Sequence, residues 1–114
     1  MRAAGKIGAS IYTTIADTAA AHRLARALVE ERLAACVNVL GPAHSVYRWE
    51  GAVEEESEWV LIIKTRRALV QRVRERLCEL HPYALPAFIV FDWADVSPDY
   101  EAWLLRETDD AVGK

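Results

Sequence analysis

The side chains best suited to chemistry in this chain are few and scattered. His81 stands in Leu80-His81-Pro82-Tyr83, and a neutral imidazole is a good ligand for Cu²⁺ or Zn²⁺. One imidazole is not a site, because transition-metal centres take three or four ligands in a defined geometry. The competing reading is a helix C-cap, with the ring bonded to the last carbonyls of a helix. Cys36 is a candidate soft ligand or redox thiol if it is exposed and held as thiolate. Its apolar neighbours favour a small buried hydrophobe instead. Cys78 lies beside an apolar helical stripe and takes no role, and the two cysteines have no CxxC spacing.

Carboxylates and aromatic rings offer two further chemistries. Glu54-Glu55-Glu56 and Glu58 can bind divalent cations weakly through oxygen. On a strand, however, neighbouring side chains point to opposite faces, so the run divides and cannot chelate as one cluster. A solvated acidic hairpin that resists edge-to-edge association is the simpler reading. Tyr47, Trp49 and Tyr83 can line a cleft for a small ligand or anchor a subunit interface. No P-loop, nucleophile elbow or dinucleotide fingerprint occurs, and nothing joins His22, His44 and His81 into a triad, so the chain reads as a non-enzyme. The net charge of −3 argues against a general phosphate-backbone binder. Arg66, Arg67, Arg72, Arg74 and Arg76 read as a solvated helix face. No stretch is long and apolar enough to span a membrane, and no signal peptide is evident at the N-terminus. The expected compartment is the cytoplasm, with reduced thiols.

These residues need elements to hold them. A strand is expected over residues 6–14, then a helix capped by Asp17, with Ala20, Leu24, Ala27 and Leu28 on one face and an end near Leu33. A long hairpin follows, turning at Glu50-Gly51, where glycine supplies the positive φ of a two-residue turn. Arms of roughly 14 residues would reach about 45 Å, against a radius of gyration near 13–14 Å for a compact domain of this length. The hairpin should therefore outrun its own domain and expose Tyr47 and Trp49 unless another chain covers them. Gly41-Pro42 should interrupt its first arm with a bulge. Thr65 is expected to cap a second helix with Leu69, Val73, Leu77 and Leu80 on its stripe, ended by His81-Pro82. Residues 87–91 read as a buried strand, Ser97-Pro98 opens a third helix with Tyr100, Trp103 and Leu104 inward, and the tail from Asp109 reads as frayed. The order β-α-β-β-α-β plus a C-terminal helix is that of an α+β, ferredoxin-like fold in a single domain, residues 1–114, with an extended hairpin and one sheet face left for a partner.

Five blocks in order carry a family resemblance: Leu33-Ala34-Ala35-Cys36-Val37-Asn38, Tyr47-Arg48-Trp49-Glu50-Gly51, Ile63-Lys64-Thr65, His81-Pro82-Tyr83, and Asp99-Tyr100 with Trp103-Leu104. Over residues 10–108 the chain resembles CutA, the divalent-cation tolerance family. The resemblance implies a ferredoxin-like homotrimer of the PII type, packed through its hairpins, with Tyr47 and Trp49 at the trimer interface. It implies tolerance to divalent metals, copper above all, with no catalytic reaction. A bound Cu²⁺ or other divalent metal would draw on His81, with Cys36 second. Other ligand positions of the family are Thr13, Leu80, Ala84 and Ala87 here. The shared architecture also implies an alternative, a PII-like sensor that binds a small anionic ligand in inter-subunit clefts beside Lys64 and Tyr83, with neither nucleic acid nor membrane as partner.

Overall fold

Strand alternation sets the architecture. In β1 (Gly8–Ile15), Ala9, Ile11, Thr13 and Ile15 occupy every second position, and all four are fully buried. The computed structural model describes residues 7–108. Its elements run β1, α1 (Thr18–Glu30), β2 (Cys36–Trp49), β3 (Ala52–Arg66), a short 3₁₀ turn (Arg67–Leu69), α2 (Val70–Leu80), β4 (Ile89–Asp92) and α3 (Pro98–Glu107). The four strands form one antiparallel sheet in the order β2-β3-β1-β4. This is the expected ferredoxin-like α+β arrangement with its C-terminal helix.

Register assigns every strand residue to one of two faces. Ile11 stands opposite Ile63 and Thr13 opposite Leu61, while Val37 and Val39 face the same pair from β2. Leu24 and Leu28 of α1, and Leu69, Val73 and Leu77 after β3, close this side into the core. Each such fully buried side chain is worth about 1.5–3 kcal/mol. The opposite face carries Tyr12, Thr14, Ile62, Lys64, Ile89 and Phe91; α3 meets its Gly8–Arg66 end, where Arg66 donates to the Leu105 carbonyl and the Thr108 hydroxyl and Trp93 donates to Ser10. Leu40, Ile89 and Phe91 are about half exposed there.

The hairpin has the expected length, 14 and 15 residues per arm. Glu50 and Gly51 turn it with φ of 49° and 85°, the paired positive values of a tight hairpin turn. A register shift between Leu40 and Ala43 marks the irregularity at Gly41-Pro42. The molecule measures 48 × 27 × 22 Å, with a radius of gyration of 15.0 Å, against about 13 Å for a compact chain of this length.

Several expectations need correction. Thr65 does not cap α2; it is the penultimate residue of β3, fully buried, and its hydroxyl donates to the Leu33 carbonyl at 2.6 Å. A 3₁₀ turn with no side-chain cap leads into α2 instead. The first helix stops at Glu30, not Leu33. Arg32 takes φ 61°, and the Leu33 amide reaches back to the Leu28 carbonyl at 2.9 Å, a left-handed C-terminal closure. The run at 87–91 is not a buried strand. Only Ile89–Asp92 pair, at the sheet edge, where alternation sends Val90 to the core and leaves Ile89 and Phe91 48% and 56% exposed. Ser97 precedes α3 as expected but makes no capping bond. The first strand begins at Gly8, while Lys6 and the tail from Asp109 lie outside the described residues.

Candidate functional site: a carboxylate pocket at the root of the hairpin

Pairing between β1 and β3 ends at Ile15 and Trp59, while β3 continues with β2 alone. The step leaves a notch on the uncovered face. One wall is the two-stranded ribbon, and the other is the loop after α2. The notch holds a cavity of about 540 Å³ lined by Tyr12, Thr14, Ser45, Tyr47, Trp49, Glu56, Glu58, Tyr83, Ala84, Leu85 and Ala87. Four of these residues are aromatic and two are acidic; none is basic.

His81 fixes the loop wall. Its backbone amide closes α2 on the Leu77 carbonyl at 2.8 Å. Its ring does not bond the α2 carbonyls, contrary to the expected ring cap. Instead Nε2 is 2.8 Å from the Thr14 carbonyl, and Nδ1 accepts the Tyr83 amide at 3.1 Å. One nitrogen must donate and the other accept, so the ring is neutral with its proton on Nε2. Burial pushes its pKa below the ordinary histidine value, against the opposing pull of the Thr14 carbonyl and Glu58. The Tyr83 ring stands edge-on to His81, with centroids 4.7 Å apart.

Tyr83 in turn holds Glu58. Its hydroxyl donates to Glu58 Oε2 at 2.6 Å, the short distance of a charge-assisted bond. Burial first, and then this carboxylate, raise the Tyr83 pKa well above the usual tyrosine range. Glu58 is only 7% exposed. One register step outward, Tyr47 donates to Glu56 Oε1 at 2.9 Å, and that bond is the main cause of a raised Tyr47 pKa. Strand parity explains the pairing: Glu54, Glu56 and Glu58 share the uncovered face, while Glu55 points the other way and meets His44 at 2.7 Å.

The sequence-derived candidates separate in space. Tyr47, Trp49 and Tyr83 converge on the cavity. Lys64 does not; it pairs with Ser10 and Cys36 at the opposite end of the sheet. Cys36 is not core. Val37 and Val39 take the core side of β2, so Cys36 falls on the uncovered face, half-buried, with Sγ 4.0 Å from Asn38 Oδ1. His81 and Cys36 are not brought together. The ring anchors at Thr14, four residues along β1 and two strands across from Cys36, which is about 13 Å along the strand alone. Tyr12, Thr14, Ser45 and Leu85 are the pocket residues that sequence reasoning missed, and Glu58 was singled out only as one acid of a run read as solvated. The available signal for Glu58 was its place as the last acid before Trp59-Val60-Leu61, in phase with Val60.

The architecture and this pocket can be set beside known proteins. The family model for the CutA1 divalent ion tolerance protein matches residues 9–107. The chain belongs to the CutA1 family. The divalent-cation tolerance protein CutA of Pyrococcus horikoshii is 45% identical over 98 residues, 86% of this chain and 95% of that protein. Protein CutA, chloroplastic, of Arabidopsis thaliana is 40% identical over 86% of this chain and 54% of its own length. The crystal structure of CutA1 from Oryza sativa superposes with a TM-score of 0.89 at 35% identity, over 92% of this chain and 96% of that one.

A CutA1 member raises the question of a metal, and the donor set of one subunit answers it. Both His81 nitrogens are engaged, Cys36 is remote, and each carboxylate in the cavity is bonded to a tyrosine. Among the described residues no group of three or more His, Cys, Asp and Glu side chains converges as a metal centre requires. The described residues of a single subunit do not fit a resident transition-metal ion.

Proposed function

We propose that this chain works as a homotrimeric divalent-cation tolerance protein, with copper as the cation concerned and the cytoplasm as its compartment. The observation that carries the assembly is the hairpin. Its outer half has no helix beneath it and leaves Val46, Tyr47, Trp49 and Val53 between 39% and 61% exposed, an apolar surface of the kind that a subunit interface covers. The uncovered sheet face continues that surface through Leu40, Ile89 and Phe91. The names of the relatives support the tolerance role. The free thiols of Cys36 and Cys78 suit a reducing compartment, and no described helix is long and apolar enough to cross a membrane.

On this reading tolerance belongs to the assembly and not to a metal centre within one subunit. Sedimentation equilibrium at micromolar concentration tests the trimer; a monodisperse monomer would refute it. Calorimetry with Cu²⁺ on chelator-stripped protein, beside His81→Ala, tests the metal part. The expected result is no stoichiometric site that depends on His81. Saturable binding lost in the variant would reinstate His81 as a ligand.

A further inference from the structure

Charge is divided along the sheet face that turns away from the core. Strand parity puts Glu54, Glu56 and Glu58 at the hairpin end of β3 on that face, and Lys64 and Arg66 at the other end. Glu58 and Lys64 stand six residues apart on one extended strand, which is about 20 Å, so they cannot meet within a subunit. Glu58 is 7% exposed, and its side chain takes one bond, from the neutral Tyr83 hydroxyl. Among the described residues neither Glu58 nor Lys64 forms a salt bridge.

A closed ring of three identical chains is joined by heterologous contacts, in which one patch of a subunit meets a different patch of the next. Such a contact on this face takes the acidic end further out of water, where a carboxylate needs a counter-ion. An acidic end against another acidic end would repel. The cations of the described face are two. Arg66 spends its donors on α3: Nε reaches the Thr108 hydroxyl, and Nη2 reaches the Leu105 and Thr108 carbonyls. Arg48 alternates with Tyr47 and Trp49 and falls on the other side of the ribbon. Lys64 is left, half-buried in register with Ser10 and Cys36 and without a charged partner of its own.

We propose that Lys64 of each subunit is the counter-ion of Glu58 in the next, so that three identical ion pairs close the ring head to tail. The pair rests on the trimer reading and deepens it, because it names the residues that set one subunit in register with its neighbour. It gives a role to two charges that stand at opposite ends of one strand, each without an opposite charge beside it. The Tyr83 hydroxyl holds the Glu58 carboxylate in place for the incoming ammonium.

The test is a double-mutant cycle on the full chain with Glu58→Gln, Lys64→Met and the double variant. Sedimentation over a dilution series reads the subunit concentration at half-dissociation, in the urea concentration that brings the native trimer into range. Loss of a pair weakens each contact about tenfold. Three contacts per ring make about a thousandfold in the trimer dissociation constant, and about thirtyfold in the half-dissociation concentration, which goes as the square root of that constant. The expected result is this shift in each single variant and no further shift in the double. An unchanged half-point in either single variant, or shifts that multiply in the double, overturns the pair. If Glu58→Gln does not fold, Lys64→Glu beside Lys64→Met decides the matter. Facing like charges must weaken the trimer beyond the neutral variant, and equal weakening overturns the pair. Native protein that sediments as a monomer refutes the trimer and the pair with it, whereas a trimer indifferent to both substitutions refutes the pair alone.

Discussion

Tyr83→Phe removes one oxygen atom and, by the geometry described, one of the stronger polar contacts in the molecule. The lost bond is 2.6 Å long and ends on a carboxylate that is 7% exposed. Hydrogen bonds to charged groups contribute about 1.5–3 kcal/mol, and loss of one partner leaves the other to bear its desolvation. Tyr83 is itself partly solvated, so the middle of that range, about 2 kcal/mol, is the expected loss. For a chain of this length that lowers the melting temperature by about 8 °C. Alkali gives the loss a signature. The Tyr83 pKa is raised in the folded state, so its contribution is fully present below about pH 10, the unfolded value, and fades as pH rises toward the folded one. Urea unfolding followed by circular dichroism, at one fixed subunit concentration, should show a constant gap between native protein and variant from pH 7 to 9 and a narrowing gap above about 10. Arg26→Gln is the control: its i,i+4 bond to Glu30 is exposed on α1, away from the hairpin, and its removal should leave stability unchanged within error. A Tyr83→Phe loss no larger than that of Arg26→Gln, or a gap that widens in alkali, would refute the reasoning.

Four further outcomes can be checked. His81 is held neutral with its pKa lowered, so its share of stability is present above about pH 6.5 and lost as pH falls below it; His81→Asn should flatten the urea midpoint between pH 7 and 5, and an unchanged slope would contradict the assignment. Thr13 is fully buried, and its hydroxyl has no partner among the described residues, so Thr13→Val should raise stability by about 1 kcal/mol or more; a fall in the melting temperature would mean that a buried water satisfies the hydroxyl. Gly8→Ala would set a methyl 2.2 Å from Trp93 Cε3 and displace the indole from its 2.7 Å bond to Ser10, at about 1–3 kcal/mol, read as a shift in Trp93 fluorescence together with the melting curve. Trp49→Glu places a charge on the exposed hairpin surface and should dissociate the proposed trimer in sedimentation at micromolar concentration, while far-ultraviolet circular dichroism stays native.

Where the sequence was legible, period and punctuation carried the information. Glu50-Gly51 marked the turn, Gly41-Pro42 the register shift, and Asp17 the first cap, whose side chain accepts the Ala19 amide at 3.2 Å. Where it misled, a local signal met a tertiary demand. Thr65 looks like a cap, but in the register of β3 it is an inward residue, and its hydroxyl serves the Leu33 carbonyl. The apolar run at 87–91 looks buried because an edge strand with one uncovered face has the composition of a core strand. Cys36 looked buried for the same reason, although Val37 and Val39 settle its parity. The pocket was half legible. Tyr47, Trp49 and Tyr83 stood out by type, but Glu58 was hidden in an acidic run, and Tyr12 and Thr14 in a strand. Their meeting depends on where β1 stops pairing with β3, which no local pattern encodes.

The position of β1 has a consequence for how the chain is made. β1 does not pair with β2, the strand that follows it in sequence; its partners are residues 59–66 on one side and 89–92 on the other. The β2–β3 hairpin can zip locally about its turn as soon as it has emerged, but β1 must wait for both flanks. Until β4 arrives, a nascent subunit exposes an open strand edge. Chaperone engagement and mispairing should therefore concentrate in that interval, and a chain truncated before Ile89 should be far more prone to aggregate than one truncated after Asp92.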